Sequence, residues 1–324
     1  YIQLSNAIVK AIEDGFLAVN DSLPSLNQLS NELELAKDTV EKAYGILKKK
    51  KIIGSVSGKG YFVLDSVQQD LKILLLFNKL SAHKKIIYDS FVETLGDKAA
   101  ISFYVYNNDF HLFRKILLQK IKDGGYSHYV IIPHFYNQED KAIELINTLP
   151  KEKLVLMDKN IPEIVNPFAS VYEDFENDIY FALQKINKKI DKYSTINIIF
   201  PEESQHHQDI LNGVKKYCLQ ENIPLQILPS IEKKHIQTNS LFITLMEDDL
   251  VKLVEKTIDS QLKVGKDIGI ISYNEVAIKK IILNGITTFS TNFEMMGKDA
   301  ANAILNHSSV KKAIPFKVNV RDSI

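Results

Sequence analysis

The first fifty residues contain three segments in which apolar residues recur at helical spacing. A spacing of i, i+3, i+4 and i+7 places such residues on one buried face of a helix. The inward positions are Leu4, Ala7, Ile8, Ala11 and Ile12, then Leu26, Leu29 and Leu33, then Val40, Ala43, Tyr44 and Leu47. We expect Gly15 to end the first helix, residues 20–24 to form a turn, and Ser25 with Gln28 to form a capping box on the second helix.

A β-hairpin is predicted directly after the third helix. Residues 52–56 and 61–64 are short apolar runs, and the glycines of the intervening turn, Ser57-Gly-Lys-Gly60, allow positive φ angles. The order helix, helix, short turn, helix, hairpin is typical of a winged helix-turn-helix. We expect that fold over residues 1–64.

From residue 72 the pattern changes to short β-rich apolar runs that alternate with helical stretches such as residues 175–186. The runs are residues 73–77, 101–105, 129–133, 154–157, 196–200, 225–228, 241–244 and 268–272. This alternation predicts an α/β fold with parallel sheets and helices on both faces. Because residues 72–324 exceed one typical sheet, we expect two lobes, joined to residues 1–64 by a polar linker at residues 65–71.

The composition is that of an ordinary globular protein, with 45% hydrophobic and 25% charged residues. No apolar run approaches the roughly 18 residues of a membrane span, and no secretory signal opens the chain, so we expect a cytoplasmic protein with no membrane partner. The single cysteine, Cys218, excludes an internal disulfide. We interpret it as a packing residue, and the alternative is a catalytic nucleophile.

The net charge of the chain does not indicate a nucleic-acid partner, because 40 basic residues balance 40 acidic ones. Residues 1–70 hold eight lysines and nine acidic residues, a net charge of −1. Five of those lysines are clustered, at residues 48–51 and at Lys59 in the predicted hairpin turn. One interpretation of residues 48–51 is a solvated helix end that complements the helix dipole. The other is contact with DNA phosphates.

Individual residues of the first segment resemble the N-terminal domain of the GntR family of bacterial regulators. The matching positions are Tyr1, Ile8, Ile12, Gly15-Phe-Leu17, Leu23-Pro-Ser25, Leu29, Thr39-Val40, Ala43-Tyr44, Leu47 and Gly58-Lys-Gly-Tyr-Phe-Val63. The chain departs from the family where arginines are usual, at Asn27, Ala36-Lys37 and Glu41. The resemblance implies double-stranded operator DNA as a partner, bound by a homodimer.

The resemblance also implies which residues approach DNA. A recognition helix enters the major groove with its N-terminal residues at the base edges. Thr39 then meets a thymine methyl or a phosphate, and Asp38 either accepts from cytosine N4 or caps the helix. The candidate DNA-binding residues are Ser25, Asn27, Lys37, Asp38, Thr39, Glu41 and Lys48, with Gly58, Lys59 and Gly60 in the wing.

The remainder of the chain resembles the LacI-type sensor domain, which is similar to periplasmic sugar-binding proteins. The matching segments are residues 154–159, 171–174, 209–214, 267–275, 286–288, 296–297 and 320–323, and the match is clearest from residue 241 onward. A GntR-type DNA-binding domain joined to such a sensor is typified by arabinose regulators. The resemblance implies two lobes that close on a small ligand at the carboxyl ends of their strands.

Polar and aromatic residues at the predicted strand ends are the ligand-binding candidates. They are Asn78, Tyr106, Asn107, His134, Phe135 and Asp158 in the first lobe, and Gln208, Glu247 and Asn274 in the second. Such side chains suit sugar hydroxyls and the apolar face of a sugar ring. Because these candidates lack arginine, we expect a neutral sugar rather than a charged one. The resemblance to arabinose regulators implies a monosaccharide such as L-fucose or L-arabinose. Asp174 is expected to cap the following helix. His206-His207 could belong to a metal site or not, and we favour the interpretation without a metal.

These features predict a ligand-responsive transcriptional regulator that needs no cofactor and is not an enzyme. The alternative is a solute-binding protein without a regulatory role, which leaves residues 1–64 unexplained. An enzyme ranks third, because the sequence contains no dinucleotide-binding glycine motif, P-loop or nucleophile elbow.

Overall fold

The computed structural model describes residues 1–56, 60–64, 71–201 and 207–324. The chain divides into two compact units, Tyr1–Leu71 and Lys72–Ile324. In the part of the chain described, no helix combines the length and the apolarity that crossing a bilayer requires.

The first unit contains the predicted three helices and hairpin. In chain order its elements are α1 (Ile2–Glu13), β1 (Ser22–Leu23), α2 (Leu26–Glu32), α3 (Lys37–Lys49), β2 (Ile53–Val56) and β3 (Gly60–Val63). The strands form an antiparallel sheet in the order β1-β3-β2. The prediction of a turn over residues 20–24 was incomplete, because Ser22 and Leu23 pair with β3.

Two local contacts fix the helices of this unit. The capping box is confirmed: Ser25 Oγ accepts from the Gln28 backbone N–H, and Gln28 Oε1 accepts from the Ser25 N–H. The buried Tyr44 of α3 donates its hydroxyl to Pro24 O (2.9 Å) and contacts the Tyr61 ring edge-on. Tyr44 therefore ties α3 to the start of α2 and to β3.

The second unit is a larger α/β structure. In chain order its elements are β4 (Leu71–Phe77), α4 (Ala82–Leu95), β5 (Ala99–Val105), α5 (Phe110–Asp123), β6 (His128–Ile131), α6 (Glu139–Asn147), β7 (Leu154–Asp158), β8 (Ala169–Tyr172), α7 (Phe175–Lys185), α8 (Asn187–Ile190), β9 (Thr195–Ile199), α9 (Gln208–Glu221), β10 (Leu225–Leu228), β11 (Ser240–Thr244), α10 (Glu247–Asp259), β12 (Ile268–Tyr273), β13 (Thr287–Thr291), α11 (Phe293–Leu305), β14 (Val310–Ala313) and β15 (Phe316–Asn319).

These strands form two six-stranded sheets, as the fold prediction required. The first has the order β14-β8-β7-β6-β4-β5 and the second β10-β9-β11-β12-β13-β15. The chain crosses between them three times: after β8, after β13 and between β14 and β15. Backbone bonds join the crossovers, since Ile314 N donates to Tyr172 O and Asn292 N donates to Pro315 O. Sheet one with its helices is the first lobe, and sheet two with its helices is the second.

All eight predicted apolar runs lie on strands, whereas four strands were missed. The missed strands are β8, β13, β14 and β15. β13 is Thr-Thr-Phe-Ser-Thr, and β14 and β15 lie at sheet edges and carry exposed lysines. Polar edge strands are common because they discourage pairing with other chains, and they leave no apolar run to detect.

Helix α11 follows a strand of the second sheet but packs on α4 and β8 of the first lobe. The contact requires a glycine at position 297. A Cβ atom there would lie 2.1 Å from Ser90 Oγ and 2.4 Å from Ile87 O, both on α4. Gly297 thus allows the two helix backbones to approach closely.

We predict that Gly297→Ala lowers the free energy of unfolding of the second unit by about 1–3 kcal/mol, because the added methyl group overpacks this contact. Denaturant unfolding followed by circular dichroism measures the change. Asn302→Ala, an exposed position on the same helix, is the matched control and is expected to change stability little. Equal stability of the two variants would contradict the packing argument.

Candidate functional site

A cavity of about 320 Å³ lies between the two lobes, at the carboxyl ends of strands from both sheets. Its size is that of sites for small organic ligands. The lining residues combine amides, acids, cations and aromatic rings, and they are Asn78, Lys79, His83, Lys84, Asn108, His134, Phe135, Tyr136, Asp158, Lys159, Glu173, Phe175, His207, Gln208, Ile210, Tyr273 and Asn274.

Asp158, the last residue of β7, is the most strongly held charge of this cleft. Its buried carboxylate forms an ion pair with Lys84 of α4 (Nζ to Oδ1, 2.5 Å) and a hydrogen bond with His134 Nε2. Burial alone would raise the pKa of Asp158, but the positive charge of Lys84 and the His134 bond outweigh it and hold that pKa well below its usual range. Burial lowers the pKa of His134, so the neutral imidazole donates to a charged carboxylate.

Three lysines line the cleft: Lys79, Lys84 and Lys159. Lys84 is paired with Asp158, and Lys159 lies 2.5 Å from the Glu139 carboxylate. The pKa of Lys79 is lowered by burial and by repulsion from Lys84. The pairing leaves the cleft with less positive charge than three lysines would otherwise give.

Several buried polar atoms of the cleft lack a hydrogen-bond partner among the described residues. They are Asn78 Oδ1, Asn274 Oδ1 and the hydroxyl of Tyr273. The other side of the Asn78 amide is fixed, because its Nδ2 donates to Asn108 Oδ1 (2.7 Å). Since a buried polar atom without a partner is costly, these atoms are suited to hydrogen-bonding groups of a bound molecule or of water.

Two aromatic rings that stack on neighbouring rings also line the cleft. Phe135 stacks on the buried Tyr106, with ring centroids 5.1 Å apart, and Phe175 lies nearly parallel to the His207 ring at 4.9 Å. Each ring is therefore held in place by a neighbour. Such rings suit the C–H face of a sugar.

Glu173 lies at the first crossover, immediately after β8, and contacts the second crossover. Its carboxylate accepts a hydrogen bond from Thr291 Oγ1 (2.6 Å), which ends β13. Burial and then the negative charge of Asp158 raise the pKa of Glu173 well above its usual value. The two lobes are therefore joined next to the cleft by a carboxyl group whose pKa is raised by its surroundings.

Six of the sequence-predicted ligand residues line the cleft: Asn78, His134, Phe135, Asp158, Gln208 and Asn274. Tyr106, Asn107 and Glu247 do not. Tyr106 is fully buried and donates its hydroxyl to Ile132 O, whereas Asn107 is exposed and the next residue, Asn108, lines the cleft instead. The Glu247 carboxylate pairs with Lys279. The cleft also contains residues that were not predicted from the sequence, among them Lys79 and Lys84. The only sequence feature that pointed to them was the end of a strand a few residues upstream.

Three further residues were singled out in the sequence, and the structure describes two of them, Asp174 and His207. Asp174 occupies the N-cap position of α7, but its side chain accepts from Asn177 Nδ2 and makes no capping bond. His206 lies outside the described residues, and His207 stacks on Phe175. Among the residues with described positions, no group of three His, Cys, Asp or Glu side chains is placed to hold a metal ion.

The first unit places most of the predicted DNA-binding residues on its surface. Ser25, Asn27, Lys37, Asp38 and Glu41 are exposed near the N-termini of α2 and α3, and Thr39 is half-buried.

The other candidates have more local roles. The N-cap of α3 is Ala36, so the alternative that Asp38 caps this helix was wrong. Lys48 Nζ donates to Ser55 Oγ (2.8 Å), and Gly60 begins β3 with a φ of 86°. Gly58 and Lys59 lie outside the described residues.

The two units resemble different groups of known proteins. Residues 1–63 match the family model described as "Bacterial regulatory proteins, gntR family". No curated protein matches the chain.

Solved structures share the architecture of the larger unit. The Lac repressor bound to ONPG in the repressed state is 13% identical, with a TM-score of 0.62 over 89% of this chain and 90% of that one. The Escherichia coli transcriptional repressor ascG is 14% identical, with a TM-score of 0.64 over 79% and 99%. A LacI family regulator from Enterococcus faecium, with bound ribose, is 15% identical, with a TM-score of 0.61 over 78% and 98%. The chain thus combines a gntR-type helix-turn-helix unit with a two-lobed α/β domain of LacI-like fold.

Proposed function

We propose that this chain is a ligand-responsive transcriptional regulator that acts in the cytoplasm. The observation that carries the proposal is the presence, in one chain, of a gntR-type unit and a two-lobed domain whose cleft contains unpartnered buried polar atoms. A solute-binding protein without a regulatory role is the second candidate. It accounts for the cleft alone and gives residues 1–63 no purpose.

The proposed effector is a neutral monosaccharide. Sugar hydroxyls can donate to Asn78 Oδ1 and Asn274 Oδ1, and Phe135 and Phe175 can cover apolar faces of the ring. The positive charges of Lys84 and Lys159 are paired with the carboxylates of Asp158 and Glu139, which favours a ligand without a charge. The bound ribose of the E. faecium neighbour supports the ligand class. L-fucose and L-arabinose are the first sugars to test.

The proposed DNA partner is a palindromic operator bound by a homodimer. In a helix-turn-helix the second helix of the motif lies in the major groove, and here that helix is α3, with Lys37, Asp38 and Thr39 in its first turn. Ser25 and Asn27, at the start of α2, are the residues that we assign to contacts with the DNA backbone. Lysines at the end of α3 and Lys59 of the wing supply further phosphate contacts.

The two activities are proposed to be linked by lobe closure. A ligand that binds the closed arrangement more tightly shifts the population of lobes toward it. Closure moves the crossovers that join the lobes, where Glu173 and Thr291 are hydrogen-bonded. In a dimer this change alters the spacing of the two DNA-binding units and thus the affinity for the operator.

Replacing either of two lysines is expected to weaken operator binding. Lys37→Ala and Lys59→Ala each remove a cation that we assign to a phosphate, so each should reduce the salt dependence of binding by about one unit of slope. Gel shifts on the protein's own promoter region at several salt concentrations measure this. Lys188→Ala, an exposed lysine of the second unit, is the charge-matched control. Undiminished binding in both variants would refute the assigned surface.

Removing the Asn274 amide is expected to weaken sugar binding without unfolding the protein. Asn274→Ala deletes a buried acceptor that faces the cleft, at a cost of about 1–3 kcal/mol of binding free energy. Calorimetry with L-fucose and L-arabinose measures the affinity, and thermal unfolding checks the fold. Asn107→Ala, one of the exposed candidates outside the cleft, is the matched control. Equal affinities for the two variants would reject the site.

Operator DNA and sugar are expected to change each other's affinity by the same factor. Thermodynamic linkage requires this reciprocity, and the coupling free energy is typically about 1–3 kcal/mol. Sugar affinity measured with and without a saturating operator duplex gives one factor, and DNA affinity with and without sugar gives the other. A scrambled duplex is the control. Sugar affinity that is independent of operator would show that the cleft does not regulate the DNA-binding unit.

A further inference from the structure

Lys279 is a completely buried lysine in the second lobe, in the short turn Ala277–Lys280 that follows β12. Its ammonium group has three acceptors. Lys279 Nζ donates to Tyr273 O (2.8 Å), to Asn274 O (2.8 Å) and to Glu247 Oε1 (3.3 Å). Lysine has three N–H donors, so each of them is matched to one oxygen.

The complete burial of the ammonium group is unusual for a lysine. Burial lowers the pKa of Lys279, and the Glu247 carboxylate opposes the shift. Removing an ammonium from water is costly unless its hydrogen bonds are replaced, which two backbone carbonyls and one carboxylate do here. Lys279 lies outside the lining of the cleft, so a direct ligand contact does not account for it.

The carbonyls that Lys279 holds belong to Tyr273, the last residue of β12, and to Asn274, the residue after it, and both line the cleft. Asn274 has a φ of 61°, in the left-handed region, and its N–H donates to Phe289 O (2.7 Å). Its carbonyl is held by Lys279 on the other side. With both backbone polar groups fixed, the direction in which the Asn274 side chain leaves the backbone is fixed as well, and its Oδ1 is one of the unpartnered atoms of the cleft.

We propose that Lys279 is a positioning residue of the ligand cleft: it holds the Tyr273–Asn274 backbone so that the Asn274 amide faces the ligand. The inference deepens the proposed function and rests on it for the identity of the site. It also gives Glu247 a role other than ligand contact, as the counter-ion of Lys279 at the start of α10.

Hydrogen exchange on the ligand-free protein tests the positioning directly. Lys279→Met preserves the length of the side chain but removes its donors. Amides of residues 274–280 are expected to exchange about tenfold faster, and those of β9 and β11 are expected to be unchanged. Lys280→Met, the same change at the exposed neighbouring position, is the matched control. Lys279→Gln, which retains a donor, serves if the methionine variant is unstable.

A double-mutant cycle then tests whether Lys279 acts through Asn274. With L-fucose and L-arabinose as probes, Lys279→Met is expected to weaken binding about tenfold, and to add little in the Asn274→Ala background. An effect of equal size in both backgrounds would overturn the proposal, since a general structural role adds independently. Unchanged exchange over residues 274–280, or a rise spread over the whole lobe, would overturn it too.

These experiments distinguish failure of the proposed ligand assignment from failure of the positioning inference. If Asn274→Ala leaves sugar affinity unchanged, or if neither sugar binds, the proposed ligand assignment fails, and the exchange result alone decides whether Lys279 positions the loop. If Asn274→Ala weakens binding and Lys279→Met does not, the proposed site stands and the positioning inference is wrong.

Discussion

The cleft is organised around the buried carboxylate of Asp158. An unpaired charge at this depth would cost several kcal/mol, so the surrounding structure has to supply cationic and hydrogen-bonding partners. Lys84 comes from α4 and His134 from the loop after β6, so one carboxylate ties three segments of the first lobe together. The geometry of that side of the cleft follows from this requirement.

The same charge acts on the connection between the lobes. Glu173, at the first crossover, is buried, and the negative charge of Asp158 adds to burial in raising its pKa. Two neighbouring carboxyl groups repel each other when both are charged, and the Lys84 cation and the His134 hydrogen bond stabilise the charged form of Asp158. The pKa of Glu173 is therefore raised while its carboxyl group accepts a hydrogen bond from Thr291 Oγ1. A ligand that changes the surroundings of Asp158 therefore changes the electrostatics of the crossover, without any long pathway between them.

Local rules were sufficient for much of this molecule. Helical spacing and the Ser25 capping box define the first unit, and β-rich runs identify the central strands, because both signals lie in consecutive residues. Strand ends located Asp158 and Asn274, since parallel strands present their carboxyl ends at one edge. The partners of these residues carry no such signal. Lys84 and Lys279 look like ordinary lysines in the sequence, and only the tertiary fold brings them to buried acceptors.

Each lobe uses a buried lysine for a similar purpose. Asp158 ends β7 and Asn274 follows β12, and both have a positive φ angle, 77° and 61°, which Asp and Asn adopt more readily than most other residues with side chains. Lys84 holds the side chain of the first, and Lys279 holds the backbone of the second. Both lysines therefore order a polar group before any ligand arrives. A site ordered in this way spends less of its binding free energy on fixing its own side chains, so more of it remains available to favour closure of the lobes.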